Sequence, residues 1–247
     1  MTAQQPALLV IGATSDIGRA IAHEYAAHGY RLQLAARDTE QAEKDAEDLR
    51  IRYQVPVAVH PLDILEPADR EALMAGLHPL PSRVVCAVGL MADQTVCEQD
   101  PELADRVMRT NFNGPALLLG RLADDMARRG EGAIIGISSV AGDRGRASNY
   151  VYGAAKAGFS AWLSGLRNRL AGSGVRVLTV KPGFVATAMT EGMDLPGPLT
   201  STPAKLARAV RRADQRGKDV LYHLRLWYWI MLVIRLLPEG VFKRTSL

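Results

Sequence analysis

A tyrosine and a lysine stand four residues apart, at Tyr152 and Lys156. On a helix, side chains at this spacing project from one face, a turn from each other. An ammonium group near a phenol favours the phenolate, so we expect Lys156 to lower the pKa of Tyr152 from its ordinary value of about 10. Such a tyrosine can exchange a proton with a substrate oxygen near neutral pH. Ser139, which ends an apolar run, is placed to hydrogen-bond the same oxygen.

Two of these residues have neighbouring rivals. Ser138 competes with Ser139 for the serine role, and Tyr150 competes with Tyr152, although no lysine follows Tyr150 at four residues. A Tyr-x-x-x-Lys pair is also common on solvated helix faces. Its interpretation therefore depends on what precedes it in the chain.

A nucleotide-binding pattern opens the chain. An apolar run at 7–11 precedes a glycine-bearing turn at 12–18, and a segment with helical spacing follows. A strand, a glycine turn and a helix N-terminus together present backbone N–H groups and a positive dipole end to a pyrophosphate. The alternative is an ordinary turn without a ligand. The context favours a dinucleotide site that includes Gly12, Thr14, Ser15, Asp16, Ile17 and Gly18.

Strand and helix patterns alternate along the rest of the chain. The predicted strands are 7–11, 31–35, 56–60, 84–88, 133–138, 175–181 and 219–222. The predicted helices are 17–28, 39–52, 67–76, 101–127, 150–171 and 203–216. This alternation predicts an α/β fold: a single-domain, Rossmann-type, doubly wound parallel sheet with helices on both faces. We expect a catalytic domain at 1–222 with a substrate flap at 184–203, and an extension of that domain at 223–247.

Polar and glycine residues follow the predicted strands, where ligands of open parallel sheets bind. These residues are Gly12, Arg37, Asp63, Gly89, Ser139 and Pro182. We therefore expect residues far apart in the sequence to meet at one edge of the sheet.

Composition is that of an ordinary globular domain. The chain has 247 residues, 48% of them hydrophobic, and only two cysteines, Cys86 and Cys97. Two cysteines suggest neither a disulfide framework nor a metal site. The polar start runs directly into a strand, so we expect a cytoplasmic protein.

At these motifs the chain resembles the classical short-chain dehydrogenase/reductase family over residues 6–222. Its nucleotide turn departs from the family's Thr-Gly-x-x-x-Gly-x-Gly where Ile11 replaces the threonine and Asp16 the middle glycine. The resemblance assigns a catalytic tetrad to Asn111, Ser139, Tyr152 and Lys156, and the family's spacing of thirteen residues selects the serine. It implies that Tyr152 protonates a ketone during hydride transfer while Ser139 polarises the oxygen. Lys156 would bind the nicotinamide ribose, and Asn111 would hold a relay water.

The same resemblance implies cofactor contacts outside the turn. They fall on Asp63, Ile64, Ala87, Gly89, Tyr152, Lys156, Pro182, Gly183, Val185 and Thr187. Asp63 and Ile64 match the pair that contacts the adenine, and Thr187 matches the threonine that holds the carboxamide. Ala87 stands where the family usually has an asparagine.

The end of the second strand predicts the choice of cofactor. Sites that prefer NAD place an acidic residue there to bind the ribose 2′-hydroxyl. Ala36 lacks that group, and Arg37 offers a planar cation suited to a 2′-phosphate. Asp38 is close enough to compete, and Arg37 could be a simple surface charge. We predict NADP(H) over NAD(H).

The C-terminal end is basic and aromatic. Residues 201–247 carry ten basic and three acidic side chains, and an apolar run spans 226–234. This run is too short to span a bilayer but suits a membrane interface. Closure of the substrate cleft, or contact with another subunit, is the alternative for residues 224–247. A basic helix end from Arg208 to Lys218 has no nucleic-acid module beside it, so we expect no nucleic-acid partner.

Within the family, the stretches 12–18 and 138–153 resemble reductases of a 2-keto sugar carried on a polyprenyl phosphate. Such a lipid-linked substrate would place the protein at the inner face of the membrane. The alternatives are a small or lipophilic ketone unrelated to cell-wall sugars, or a redox-inactive regulatory protein that binds NADP. By analogy with classical members, helices 101–127 and 150–171 would pair subunits into a homodimer or homotetramer.

Overall fold

A computed structural model describes residues 5–245 of the chain. Its strands are β1 Ala7–Ile11, β2 Arg31–Ala36, β3 Val57–Pro61, β4 Arg83–Cys86, β5 Gly132–Ile137, β6 Val175–Pro182, β7 Phe184–Val185, β8 Thr200–Ser201 and β9 Val220–His223. Its α-helices are α1 Asp16–Ala26, α2 Thr39–Tyr53, α3 Pro67–Gly76, α4 Gln94–Gln99, α5 Pro101–Met108, α6 Gly114–Arg129, α7 Tyr150–Arg169, α8 Pro203–Gln215, α9 Arg225–Leu236 and α10 Glu239–Phe242.

Seven strands form one parallel sheet in the order β3-β2-β1-β4-β5-β6-β9. The order reverses between β1 and β4, and this switch point opens a crevice beyond the carboxyl ends of the strands. The two-residue strands β7 and β8 form a separate parallel pair. The expectation of a doubly wound, seven-stranded parallel sheet is confirmed.

Helices cover both faces of the sheet because its strands are apolar on both sides. In β1, Leu8 and Val10 pack into the cluster that contains residues of α1, α2 and α8. Leu9 and Ile11 pack into the opposite cluster, with residues of α3, α6 and α7. Such strands have continuous apolar runs, since alternate side chains enter different layers.

The helix predicted at 101–127 has an interruption. Helices α5 and α6 are joined by a π-helical turn at Arg109–Asn113, in which the Gly114 N–H bonds to the Arg109 carbonyl five residues back. A Cβ on Gly114 would lie 2.8 Å from the Ile64 carbonyl oxygen, so this glycine allows a close approach to the loop after β3. Helix α4 and the β7–β8 pair were not among the predicted elements.

Helix α9 has two different faces. Trp227, Met231 and Ile234 are buried in a cluster with residues of the flap, whereas Trp229 and Val233 are 56% and 61% exposed. The inner face thus packs on Phe184 and Leu199, in the segment predicted as a substrate flap. Among residues 5–245, no helix is both long enough and apolar enough to cross a bilayer.

Candidate active site

A cavity of about 170 Å³ lies at the carboxyl ends of β1, β4, β5 and β6. Ser139, Tyr152 and Lys156 all line it. The sheet brings Ser139 there directly after β5, and α7 presents the other two side chains from successive turns. The structure therefore brings three of the four predicted catalytic side chains together at one opening.

Ser139, not Ser138, has a hydroxyl free to act. The Ser138 hydroxyl is buried between the Lys156 carbonyl oxygen at 3.0 Å and the Ser160 hydroxyl at 2.6 Å. Ser139 Oγ accepts a bond from the Ala141 N–H at 3.1 Å, which leaves its own O–H to donate. This geometry suits a hydrogen-bond donor to a substrate oxygen.

Tyr152 is partly exposed to the cavity, whereas Tyr150 is 46% exposed outside it. Burial raises the pKa of Tyr152 to about 12, although the Ser139 hydroxyl lowers it in part. This direction is the opposite of the one that the spacing of Tyr152 and Lys156 predicts. In the chain alone, Tyr152 is a protonated phenol at neutral pH.

Lys156 lies deep beside the tyrosine, with only 3% of its surface exposed. Its ammonium donates to the Ile137 carbonyl at 3.2 Å and the Val88 carbonyl at 3.5 Å, and lies 5.7 Å from the centroid of the Tyr152 ring. Burial lowers the pKa of Lys156 to about 8. Two carbonyl groups hold the ammonium away from the phenol, and burial makes Lys156 lose its proton more readily. Lys156 therefore does not depress the pKa of Tyr152 here.

Asn111 occupies the π-helical turn, fully buried. Its side-chain amide donates to the Leu90 and Val107 carbonyls at 2.6 and 2.9 Å, and its oxygen accepts from the Leu90 N–H. The side chain thus supports the loop after β4 and has little capacity left for a water. Pro115 lacks the N–H that would close an α-helical bond to the Asn111 backbone carbonyl.

The glycine turn at 12–18 packs too closely for side chains at its ends. Gly12 has φ +81°, and a Cβ there would lie 2.9 Å from the Val88 nitrogen. A Cβ on Gly18 would overlap the Gly12 carbonyl oxygen. Ser15 holds the turn, since its hydroxyl donates to that same carbonyl at 2.8 Å and accepts from the Gly18 N–H at 3.0 Å.

Asp16, which replaces the family's middle glycine, joins the turn to the flap. It begins α1, and its carboxylate accepts a hydrogen bond from the Ala188 N–H at 2.8 Å. Ile17, the next residue, lines the cavity, and Thr14 is half-buried within the turn. The aspartate that stands in place of the family's glycine therefore makes a contact with a residue 172 positions away in the chain.

At the end of β2, the two charged residues have different environments. Asp38 caps α2, where its carboxylate accepts from the Gln41 N–H at 2.9 Å. Arg37 is exposed, and within residues 5–245 no carboxylate pairs with it. The cation is thus the charged group left available at this strand end.

The remaining predicted cofactor residues also lie along the crevice. Asp63 follows β3, and its carboxylate accepts from the Leu65 N–H at 2.9 Å, while Ile64 is buried against Gly114. Ala87 and Gly89 line the cavity after β4. A Cβ on Gly89 would lie 3.8 Å from the Lys156 ammonium.

The Pro-Gly segment forms the opposite wall of the crevice. Its cavity-lining members are Pro182, Gly183, Val185 and Thr187. A Cβ on Gly183 would overlap the indole of Trp227, so this glycine admits the helix α9 side chain. Trp227 also donates from Nε1 to the Leu199 carbonyl at 3.0 Å and meets Phe184 edge-on at 5.4 Å between ring centroids.

Among the cavity-lining residues to which sequence reasoning assigned no site role are Arg146, Asn149 and Trp227. Arg146 and Asn149 fall between the predicted catalytic serine and tyrosine, and Asn149 stands one helical turn before Tyr152. That position was a signal that could have marked them. No local signal marks Trp227, because its place depends on the packing of distant segments.

The model of the short chain dehydrogenase family matches residues 6–195. An uncharacterized oxidoreductase of Mycobacterium tuberculosis is 38% identical over 96% of each chain, and a sulfoacetaldehyde reductase of Chromohalobacter salexigens is 35% identical over 74% of each. Among solved structures, a short-chain dehydrogenase from Sphingobium yanoikuyae in complex with NADPH superposes with a TM-score of 0.82 at 26% identity, covering 97% of this chain and 96% of the other. The chain belongs to the short chain dehydrogenase family of oxidoreductases.

Proposed function

We propose that this protein is an NADP(H)-dependent oxidoreductase that interconverts a ketone and a secondary alcohol. The observation that carries the proposal is the meeting of Ser139, Tyr152 and Lys156 at a cavity beside the glycine turn. A serine donor and a tyrosine acid at one opening are the groups that carbonyl reduction requires.

The glycine cradle fits a dinucleotide. Gly12 and Gly18 let the backbone of the turn pack where a Cβ would overlap its neighbours, and the Ser15 hydroxyl bonds the Gly12 carbonyl and the Gly18 N–H. Helix α1 begins at this turn, and the N-terminus of a helix stabilises an anion. A bound nicotinamide would supply the hydride.

The chain's own residues handle the substrate oxygen and its proton. Tyr152, whose pKa is near 12, keeps its proton at neutral pH and can donate it to the oxygen that gains charge. Ser139 donates a hydrogen bond to the same oxygen. Lys156 positions the site, and the Asn111 carbonyl would hold the water that returns a proton.

Replacement of the phenol tests the proposal. Tyr152→Phe should reduce turnover by at least about 100-fold, because the general acid is lost, while the Kd for NADPH stays within about threefold. Tyr150→Phe is the matched control and should remain active, since Tyr150 lies outside the cavity. An active Tyr152→Phe would refute the assignment. NADPH binding with no turnover of any carbonyl by the unmodified protein would favour the redox-inactive alternative.

Preference for NADP(H) rests on Arg37. Its guanidinium is exposed at the end of β2 and unpaired within the described chain, whereas Asp38 is engaged as a helix cap. The NADPH complex of the Sphingobium relative also supports this choice. We expect kcat/KM to favour NADPH over NADH by about 100-fold, and Arg37→Ala to remove most of that ratio. A clear NADH preference would overturn it.

For the substrate, a 2-keto sugar on a polyprenyl phosphate remains our specific proposal. A small carbonyl compound is the second candidate, supported by the 35% identical sulfoacetaldehyde reductase. NADPH oxidation with 2-keto-pentosyl polyprenyl phosphates, assayed beside simple ketones and sulfoacetaldehyde, separates them. Turnover of small carbonyls alone would end the sugar-lipid proposal.

Helix α9 supports peripheral contact with an anionic membrane, consistent with a protein at the inner face of the membrane. Its outer face exposes Trp229, Val233 and Leu236, and Arg225 and Arg235 lie at its two ends. Aromatic and apolar side chains with flanking cations suit a lipid interface. Flotation with anionic liposomes should retain the protein, and Trp229→Ser should weaken retention. Persistent dimerisation through this face without liposome binding would refute membrane contact.

We also propose a homodimer or homotetramer that pairs subunits through α6 and α7, by analogy with the family. Leu117 on α6 is 55% exposed and would become buried. Analytical sedimentation measures the oligomeric state, and Leu117→Glu should shift the protein towards the monomer. A monomer at micromolar concentration contradicts it.

A further inference from the structure

Arg146 has an unusual position inside the active-site cavity. It follows the short 3-10 helix Val140–Asp143 and lines the same opening as Ser139 and Tyr152. Its Nε is shielded from solvent and has no hydrogen-bond partner. Across residues 5–245, no carboxylate forms an ion pair with its guanidinium.

The neighbouring charged groups are already satisfied. Arg144 donates to the Ile234 and Leu237 carbonyls, both at 2.6 Å, and to Glu239 at 2.8 Å. The Asp143 carboxylate is buried between Lys181 and Tyr222. Asp143, the acidic residue three positions before Arg146, is therefore engaged elsewhere.

An arginine in this state favours an anionic ligand. A guanidinium remains charged in proteins, and burial without a counter-charge is unfavourable. Arg146 as a whole is half-buried, and this burial lowers the pKa of its guanidinium. An anion that entered the cavity would receive a planar, multidentate donor and remove the cost.

The dinucleotide does not supply this anion. Under the proposed function, the turn from Gly12 to Gly18 and Arg37 would hold its phosphates, on the β1–β2 side of the crevice. The nicotinamide ring, which would be held near Tyr152, has no negative group to offer Arg146. The anion must therefore come with the substrate.

Asn149 gives a second polar group at the same place. It occupies the N-cap position of α7, yet its side chain makes no capping bond. Its Oδ1 is shielded from solvent, without a hydrogen-bond partner, and lines the cavity with Arg146. Asparagine at an N-cap ordinarily bonds to the helix backbone. Here the side chain is left for a ligand instead.

We propose that Arg146 is a specificity-determining residue that binds a carboxylate, sulfonate or phosphate group of the carbonyl substrate, with Asn149 bonding a polar group beside it. The substrate class is then an anionic ketone or aldehyde. This inference rests on the proposed function, because it assigns a second contact to the molecule that Tyr152 protonates. The anion can belong to a small soluble compound or to a lipid-linked phosphodiester.

The experiment compares charged and neutral carbonyl substrates. Sulfoacetaldehyde, 2-keto to 4-keto acids and a 2-keto-pentosyl polyprenyl phosphate are assayed beside neutral ketones of similar length, with NADPH. In Arg146→Gln, the ratio of kcat/KM for charged over neutral substrates should fall by about 30-fold or more, mainly through KM, as expected for loss of a charge-assisted bond. Arg146→Lys should restore part of the ratio. Arg208→Gln, on the exposed face of α8, is the matched control.

The charged substrate with the highest kcat/KM identifies the source of the anion.

A binding measurement keeps this inference separate from the reaction. Calorimetric titration of the NADPH complex with 2-hydroxyethanesulfonate and with lactate should give binding that Arg146→Gln abolishes and Arg208→Gln retains. Absence of anion binding, together with an unchanged selectivity ratio, would overturn the role of Arg146 even if ketones are reduced. Arg146-dependent anion binding without any turnover would uphold it while the proposed reductase activity fails.

Discussion

The two ends of the active-site cavity differ in how completely the chain satisfies its own polar groups. At the glycine turn, the Ser15 hydroxyl both donates and accepts within the turn, and Asp38 caps a helix nearby. At the other end, Arg146 Nε and Asn149 Oδ1 are buried without partners. Under the proposed function, the turn would bind the dinucleotide through its shape and backbone N–H groups, whereas the far end would bind the substrate through these side chains.

The two ends also differ in the sequence separation of the residues that contact each other there. The contacts within the turn join residues three to six positions apart, although Gly12 also packs on Val88 and Asp16 bonds to Ala188. At the far end, Trp227 packs on Gly183, 44 residues away in the chain. Arg144 donates hydrogen bonds to the last carbonyls of α9, which are about 90 residues away. A change in the C-terminal helix should therefore damage substrate binding and leave the turn intact.

Of the substitutions that test this difference between the two ends, Trp227→Ala should have the largest effect. The indole is 5% exposed and packs on Gly183 and Phe184, so its loss should lower the free energy of unfolding by about 4 kcal/mol. The KM for carbonyl substrates should rise, while the Kd for NADPH changes by less than about threefold. Urea unfolding and NADPH fluorescence titration measure both. Trp229→Ala, at a 56% exposed position, is the control and should unfold like the unmodified protein.

Gly18→Ala tests the other end. The new Cβ would overlap the Gly12 carbonyl oxygen, and the turn must open to relieve it. We expect a loss of about 3 kcal/mol, measured as a Kd for NADPH about 100-fold higher. Gly165→Ala on α7, where a Cβ meets nothing within 4 Å, should bind NADPH normally. Equal NADPH affinity in the two variants would show that the turn is not the cofactor site.

The turn was predictable from sequence for the same reason that it is locally built. A buried strand, two glycines and a helical pattern are signals within 20 residues, and the seven predicted strands appear within about two residues of their predicted ends. Tyr152 was predicted together with Lys156 because helical periodicity places both on one face, whereas the resemblance to the family selected Ser139 over Ser138.

The far end could not be predicted because its contacts depend on tertiary packing. Trp227 reaches the cavity only because α9 turns its inner face onto Gly183, and the sequence left that helix open to other interpretations. The pKa of Tyr152 was expected in the wrong direction, since spacing indicates that Lys156 is near but not that carbonyls hold its ammonium. Burial, which outweighs the charge here, is a property of the assembled site.

Lys156 lies between the two ends and should give a pH signature. Its pKa is about 8 in the folded chain against 10.5 for the free group. Between these values the unfolded chain binds a proton that the folded chain has released, so Lys156 makes stability rise with pH in that window. From pH ~7.5 to ~9.5 its contribution is about 2 kcal/mol, and Lys156→Met should lack that rise. Urea unfolding without cofactor measures it, with the exposed Lys205→Met as control. Parallel pH curves for the unmodified and Lys156→Met proteins would contradict the shifted pKa.

The smallest effect concerns Asp16, whose carboxylate bonds the turn to Ala188 in the segment predicted as a flap. Its carboxylate accepts from the Ala188 N–H but also places a negative charge beside the space for the phosphates. Asp16→Asn keeps an acceptor and removes the charge, so NADPH should bind about threefold more tightly, an advantage that fades with added salt. Asp16→Ala removes both, and the loosened flap should raise the substrate KM about fivefold, the value of one hydrogen bond of about 1 kcal/mol. Steady-state kinetics of the two variants at low and high salt therefore separate the charge from the contact. Identical behaviour of Asn and Ala would mean that the two ends of the cavity are not coupled through this bond.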